Sequence, residues 1–327
     1  MRQSLRLSAL VSAFALVLSA AVGCGDSDDS GKGGQGLEKS TMTVAALPLA
    51  DNVGVYIAQK QGFFKEEGLK VEIKPVQQST QAIPALIKGD VNVIAGANYV
   101  SFLQANEKGT LKLSVLAEGA TLSSHTFDLL VMPDSKIRTP KDLEGKKVAV
   151  NILNNIQSLT LNAILKANNV DPSKIEYVTV PFPQMAVALQ KGQVDAIHAV
   201  EPFTSGTEKE LGARVAVDGG TEPVTDLPIS GYVSTQDFAQ KNPKTAAAFQ
   251  RAIIKAQKLA VGDRKVVEQA LPTYTKIDAK VAGVITLPGY PTSLNGTRMQ
   301  RTVDLMLSDG LLKQKPDMKS ILFQPTA

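Results

Sequence analysis

The side chains that carry chemistry in this chain are few and unevenly placed. There is one cysteine, Cys24, and there are two histidines, His125 and His198. A lone thiol can build neither an internal disulfide nor a cysteine metal cage. Its expected chemistry is modification, and its surroundings say which. Arg2 and Arg6 give a positive start, residues 7–22 are almost wholly apolar, and Ala21-Val22-Gly23-Cys24 closes the run. That is the pattern of an export signal with small residues before a cut. A cysteine at the cut point predicts a lipoprotein, with the thiol lipidated and the cysteine as new N-terminus. Ala21 is a departure, because such signals more often carry Leu there. From Gly25 to Gly36 no side chain is apolar, which predicts a flexible tether.

The other candidates are polar residues at the ends of apolar runs. Asp51 and Asn52 precede a helical pattern, with Asn52 expected as the cap and Asp51 partly free. Asn98 is balanced between cap and ligand contact. Asn154, Asn155 and Ser158 precede another helix and exceed what one cap requires, which favours a polar pocket wall. Glu201 follows an apolar strand and precedes Pro202, and a carboxylate at a strand end wants a cation, an amine or a hydroxyl. His125 and Tyr232 fall where the chain passes between its two halves. His198 sits mid-strand, as a core histidine. These groups can hold a small polar solute. No Ser-His-Asp set and no phosphate-cradling glycine loop is evident, no metal ligand set is apparent, and no cofactor is implied. The formal charge of +4 is dispersed, without the basic stripe that nucleic acid requires.

The elements that position these residues follow from an internal repeat. Residues 85–94, ALIKGDVNVI, resemble residues 188–197, ALQKGQVDAI, at an offset of 103. Val44-Ala45 matches Val148-Ala149, and Val71-Glu72-Ile73 matches Ile175-Glu176-Tyr177, both at an offset of 104. Strands are expected over residues 43–47, 69–74, 91–95 and 111–117, then 147–150, 175–180 and 194–200, with helices between them. Alternation of this kind argues parallel sheets covered by helices. The expected fold class is α/β: two doubly wound lobes joined by a two-segment hinge at residues 126–132 and 231–235. The boundaries are 1–23 for the signal, 24–40 for the tether, 41–126 with 231–327 for lobe one, and 127–230 for lobe two. Asn242-Pro243 is expected to cap and start a long helix. Ligands of such sheets sit outside the carboxyl ends of the strands. That groups the loops at 48–52 and 96–98 with those at 152–158 and 201–203 around one cleft.

These motifs resemble the extracytoplasmic solute-binding proteins of ABC importers, in the nitrate, sulfonate, taurine and thiamine-pyrimidine-precursor group. Val55-Tyr56-Ile57-Ala58-Gln59-Lys60-Gln61-Gly62-Phe63-Phe64 with Gly68-Leu69 is similar to that group's first signature. Gly192-Gln193-Val194-Asp195-Ala196 with Glu201-Pro202-Phe203 is similar to its second, although Val200 stands where the family often has Trp. The resemblance spans residues 41–312. It implies a periplasmic binding protein type II-like fold, and the signal pattern adds the expectation of a monomer anchored to the cell membrane through lipid on Cys24. It also implies delivery of a small solute to permease and ATPase subunits. The alternatives are an enzyme of the same fold or a surface lipoprotein that binds a protein partner. The mature arginines (138, 214, 251, 264, 298 and 301) all fall outside the four cleft loops, while Asp51 and Glu201 fall within them. Both facts lean toward a neutral or amine-bearing ring compound, with sulfonate and nitrate as open alternatives.

Overall fold

The computed structural model describes residues 36–325. The signal, Cys24 and most of the expected tether lie outside the described residues. Ten strands form: β1 (Thr41–Ala46), β2 (Lys70–Pro75), β3 (Val93–Asn98), β4 (Leu113–Thr121), β5 (Phe127–Val131), β6 (Lys147–Val150), β7 (Glu176–Thr179), β8 (Ala196–Val200), β9 (Arg214–Val217) and β10 (Pro228–Thr235). They make two five-stranded sheets, ordered β2-β1-β3-β10-β4 and β7-β6-β8-β5-β9. Every residue of β3, β4, β5 and β8 is buried. Strands covered on both faces read as continuous apolar runs, which is why the sequence shows them.

The repeat is a repeat of register. Val44 faces Ile73 on one side and Val93 on the other. Val148 faces Tyr177 and Ala196 in the same way. The two sheets therefore share one plan, with β5 and β10 in the same slot.

One expectation fails. The sheets are mixed rather than parallel, because β5 and β10 run antiparallel to both of their neighbours. The reason is geometric. A strand arriving from the opposite lobe enters at the carboxyl ends of the resident strands and must run against them. Where the crossings meet, the backbones nearly touch. A Cβ on Gly219 would lie 1.6 Å from the Phe127 carbonyl oxygen, and one on Gly220 would lie 1.8 Å from that of Ser123. Only glycine permits that approach.

The long helix Pro243–Gly262 covers lobe one. Its expected cap is corrected: the Asn242 side chain donates back to the Phe238 carbonyl instead. The Glu38 carboxylate accepts from the amides of Lys244 and Thr245, at 3.2 and 3.0 Å. An acidic group suits that positive helix end better than an amide does. The folded body therefore begins by Glu38, within the segment expected as tether.

The two lobes are in contact. One run of buried side chains passes from Leu47, Ile94 and Leu103 to Val148, Ile164 and Ile197. Hydrogen bonds cross the same boundary. The Ala50 amide donates to the Glu201 carbonyl at 3.1 Å, and Gln78 Nε2 donates to the Asn151 carbonyl at 2.5 Å. Farther out, Asp309 follows helix Gly296–Ser308 and accepts from Asn162 Nδ2 at 2.8 Å and from Lys166. Tyr177 donates to the Asn162 carbonyl oxygen at 2.7 Å and fixes that amide.

Candidate functional site

A small cavity, about 30 Å³, lies between the carboxyl edges of the two sheets. It has room for one or two waters, against roughly 300–1,000 Å³ in a typical ligand site. Anything larger needs more room than this space offers.

Lobe one supplies Asp51 from the loop after β1, Ser79 after β2, Asn98 at the end of β3, and Ser230 from β10. Lobe two supplies Asn151 and Asn155 from the loop after β6, and Gln157 from the first turn of the helix that follows. Apolar walls come from Phe127, Phe182 and Val200, among others. The aromatic walls are thus Phe127 of β5 and Phe182, which opens the helix Phe182–Gln190, while Val200 stands beside Glu201. Among the described residues no Lys, Arg or His lines the space, and Asp51 is its one ionisable group.

Asp51 is held firmly. Its loop is a single 3-10 turn, Ala50–Asn52. Tyr274 donates to the Leu49 carbonyl at 3.0 Å and Tyr290 to the Ala50 carbonyl at 3.1 Å. Asn52 does not cap the following helix. Its Nδ2 donates to the Leu47 carbonyl at 2.8 Å, and its side chain covers Gly96 so closely that a Cβ there would lie 2.5 Å away. Gly96, at φ +78, meets both demands of that spot. Asp51 is thereby freed to face the cleft, buried, with only the Ser230 hydroxyl at 3.4 Å. Burial pushes its pKa from 3.8 up to about 6, partly offset by Ser230.

The amides are part cap, part wall. Asn98 Oδ1 accepts from the Ser101 amide at 2.9 Å while its Nδ2 reaches Ser79 at 3.4 Å. Asn155 caps helix Ile156–Ala167, and Ser158 Oγ closes the reciprocal box by accepting from the Asn155 amide at 3.1 Å. Ser158 is therefore spent on the cap. Asn154 is exposed, with a left-handed φ of 52, and does not line the cavity. Gln157 is tied to the cap twice: its amide donates to Asn155 Oδ1 and its Oε1 accepts from Asn155 Nδ2, both at 3.1 Å. Its side chain donates to the His198 carbonyl and accepts from the Asn151 amide, fixing the floor of lobe two.

Asn52, Asn154 and Ser158 do not line this space, and three more expected ligands also stand outside it. The Glu201 carboxylate accepts from Ser205 Oγ at 2.7 Å and from the Ser205 amide at 3.2 Å, and it does not line the cavity. Burial pushes its pKa up, with Ser205 opposing. Tyr232 is fully buried in the lobe-one core, where its hydroxyl sits 2.7 Å from the place of a Gly54 Cβ. His125 is half exposed on the turn before β5. His198 is the buried strand histidine expected from sequence. Its Nε2 donates to the Phe127 carbonyl at 3.2 Å, and burial lowers its pKa to about 4.

Ser79, Asn151, Gln157 and Ser230 escaped the sequence reading. Gln157 lies inside the expected loop at 152–158 and Asn151 borders it, so strand-end position is a usable signal for both. Ser79 lies after the second strand and Ser230 inside a crossing, where position in the repeat gave no hint. The set as a whole can pair with one positive group and hydrogen-bond several polar atoms. It presents no nucleophile–base pair.

Comparisons with known proteins give the family and the fold. The family model described as NMT1/THI5 like matches residues 50–265. The taurine-binding periplasmic protein of Escherichia coli is 26% identical over 244 residues, covering 74% of this chain and 73% of that protein. A putative thiamine biosynthesis protein of Haemophilus influenzae is 23% identical over 280 residues, covering 82% and 86%. Several other curated relatives are matched over 56% to 63% of their own length. Among solved structures, the aliphatic sulphonate binding protein SsuA of Escherichia coli superposes with a TM-score of 0.71 at 20% identity, covering 88% of this chain and 98% of that one.

Proposed function

Since the chain belongs to the NMT1/THI5-like family, we propose that it is the substrate-binding protein of an ABC importer. It captures a small polar organic solute between its lobes and passes it to a membrane permease. The observation that carries the solute class is the cleft's single charge. Asp51 is buried there with no cation to pair with. An uncompensated buried carboxylate favours a ligand that brings positive charge or strong donors. Phe127 and Phe182 suit a flat ring. The solute class is therefore an amine-bearing ring compound of the kind a vitamin precursor represents. The likeness to a thiamine biosynthesis protein supports this reading. Sulfonate and nitrate are the rivals, since helix N-termini alone can hold anions.

The test is mass spectrometry of solute carried through native purification, followed by thermal shift with aminopyrimidines, taurine and nitrate. A ligand that binds only the folded state raises Tm as its concentration passes Kd. Stabilisation by taurine or nitrate alone would reject the amine.

Two further results are expected. Asp309→Ala should weaken solute capture about fivefold, or roughly 1 kcal/mol, because it cuts the ties to Asn162 and Lys166. The loss should appear as faster release in stopped-flow measurements, and an unchanged release rate would show that these ties do not hold the closed form. The anchor is the second. Lipid on Cys24 keeps the trap beside its permease, on the outer side of the membrane. Cys24→Ser is expected to move the protein from the membrane fraction to the soluble one, and persistence in the membrane fraction rejects the anchor.

A further inference from the structure

A second polar cluster lies where the two crossings meet, at the start of β5 and the end of β9. His125, Asp128 and Asp218 each offer one ligand-type atom, and these atoms all lie within 4.8 Å of one another. His125 Nδ1 is 3.2 Å from Asp128 Oδ2, and its Nε2 is 3.7 Å from Asp218 Oδ2.

The surroundings treat these carboxylates unequally. Asp218 is well supported. Its Oδ1 accepts from the amides of His125 and Gly220, at 2.8 and 2.9 Å, and its Oδ2 accepts from Ser124 Oγ at 2.5 Å. Those donors fix its orientation, as the outer partners of a metal ligand do. Asp128 is only 2% exposed, and its Oδ1 is buried with no hydrogen-bond partner. The Gly219 amide lies nearby without making a hydrogen bond of good geometry. A buried carboxylate oxygen with no donor is costly unless something positive meets it. The His125 ring is 55% exposed, so the cluster has an open side for entry and for water ligands.

We infer that His125, Asp128 and Asp218 form a site for a divalent transition-metal cation, separate from the solute cleft. One imidazole with two carboxylates suits zinc or manganese, whereas calcium and magnesium prefer oxygen alone. Two carboxylates balance the charge of the ion. A protonated His125 between them would leave the cluster one charge negative, with Glu208 adding to the excess. No local spacing marks these ligands, because His125 and Asp218 sit on different crossings and meet only through the fold. A bound ion would join the turn before β5 to the segment after β9, pinning the two crossings beside Gly219 and Gly220.

The probe is Zn²⁺ alone, titrated into the metal-free full-length protein by calorimetry. One equivalent per chain is expected, with a rise in Tm. His125→Asn keeps a residue that tolerates the left-handed φ of 62 at this turn, and it should cut zinc affinity at least tenfold. Asp218→Asn should do the same, while Asp51→Asn should leave zinc binding in place. Circular dichroism of each variant checks that it is folded. Absence of saturable binding near one equivalent overturns the site, as does binding that His125→Asn leaves unchanged or that Asp51→Asn abolishes.

Discussion

Asp51→Asn should stabilise the empty protein and disable the loaded one. The folded pKa of about 6 lies above the ordinary 3.8. Ionising Asp51 therefore costs stability that is intact below about pH 4 and lost as pH rises through 6. Above that the full cost is about 3 kcal/mol. The asparagine variant escapes it, so its apo Tm should exceed wild type at pH 7.5 and converge with it near pH 4. The solute responds in the other direction. An ammonium or protonated ring that pairs with this carboxylate loses its one counter-charge, and breaking a buried pair costs about 3–5 kcal/mol. The expected loss is on the order of a hundredfold or more in Kd. Wild-type affinity for such a ligand should also fall as pH drops below 6, where a proton competes for Asp51. Affinity that rises in acid would mean that the neutral acid donates to the solute, and it would reject the cation. Glu201→Gln provides the comparison, because Glu201 is spent on Ser205 and its replacement should change Kd little.

Arg298→Ala is expected to be the most damaging single change to stability. Glu118 lies in the middle of β4 and is 1% exposed. Arg298 meets it with two hydrogen bonds, at 2.9 and 3.0 Å, and the Asn295 amide adds a third at 2.7 Å. Burial already pushes the Glu118 pKa up despite the guanidinium. Removing the arginine strands a carboxylate in the core and should cost about 3–5 kcal/mol. Because the folded pKa stands above the unfolded one, the penalty should grow as pH rises. Urea unfolding at pH 5 and pH 8 reads both size and slope, and a loss under 1 kcal/mol at pH 8 would reject this account. Replacing both partners with leucine removes the stranded charge and should recover much of the loss.

The candidate site divides along a physical line. Asp51, Asn98 and Asn155 were legible because a polar residue between a strand and a helix has few places to go. Strand ends of an open sheet face one edge, and helix starts collect amides there. Glu201 met the same criteria, yet its side chain turns to Ser205 one helical turn later. Sequence position says which edge a residue occupies, but not which rotamer its neighbours leave open. Asn52 and Asn242 fail as caps for a similar reason, since the Leu47 and Phe238 carbonyls accept their amides first.

The sequence by itself determined the periodic part of this protein. Apolar runs at near-constant offset specified two α/β lobes on one plan, and the register of Val44 and Val148 repeats that offset residue for residue. The pattern survives in one dimension because burial on both strand faces favours apolar residues at most positions. The tertiary structure alone decided the direction of β5 and β10, the isolation of the Asp51 charge, and the meeting of His125 with Asp218. Each depends on chain segments far apart in sequence arriving at one point. Pair energies there are set by distance and desolvation, which no local spacing encodes.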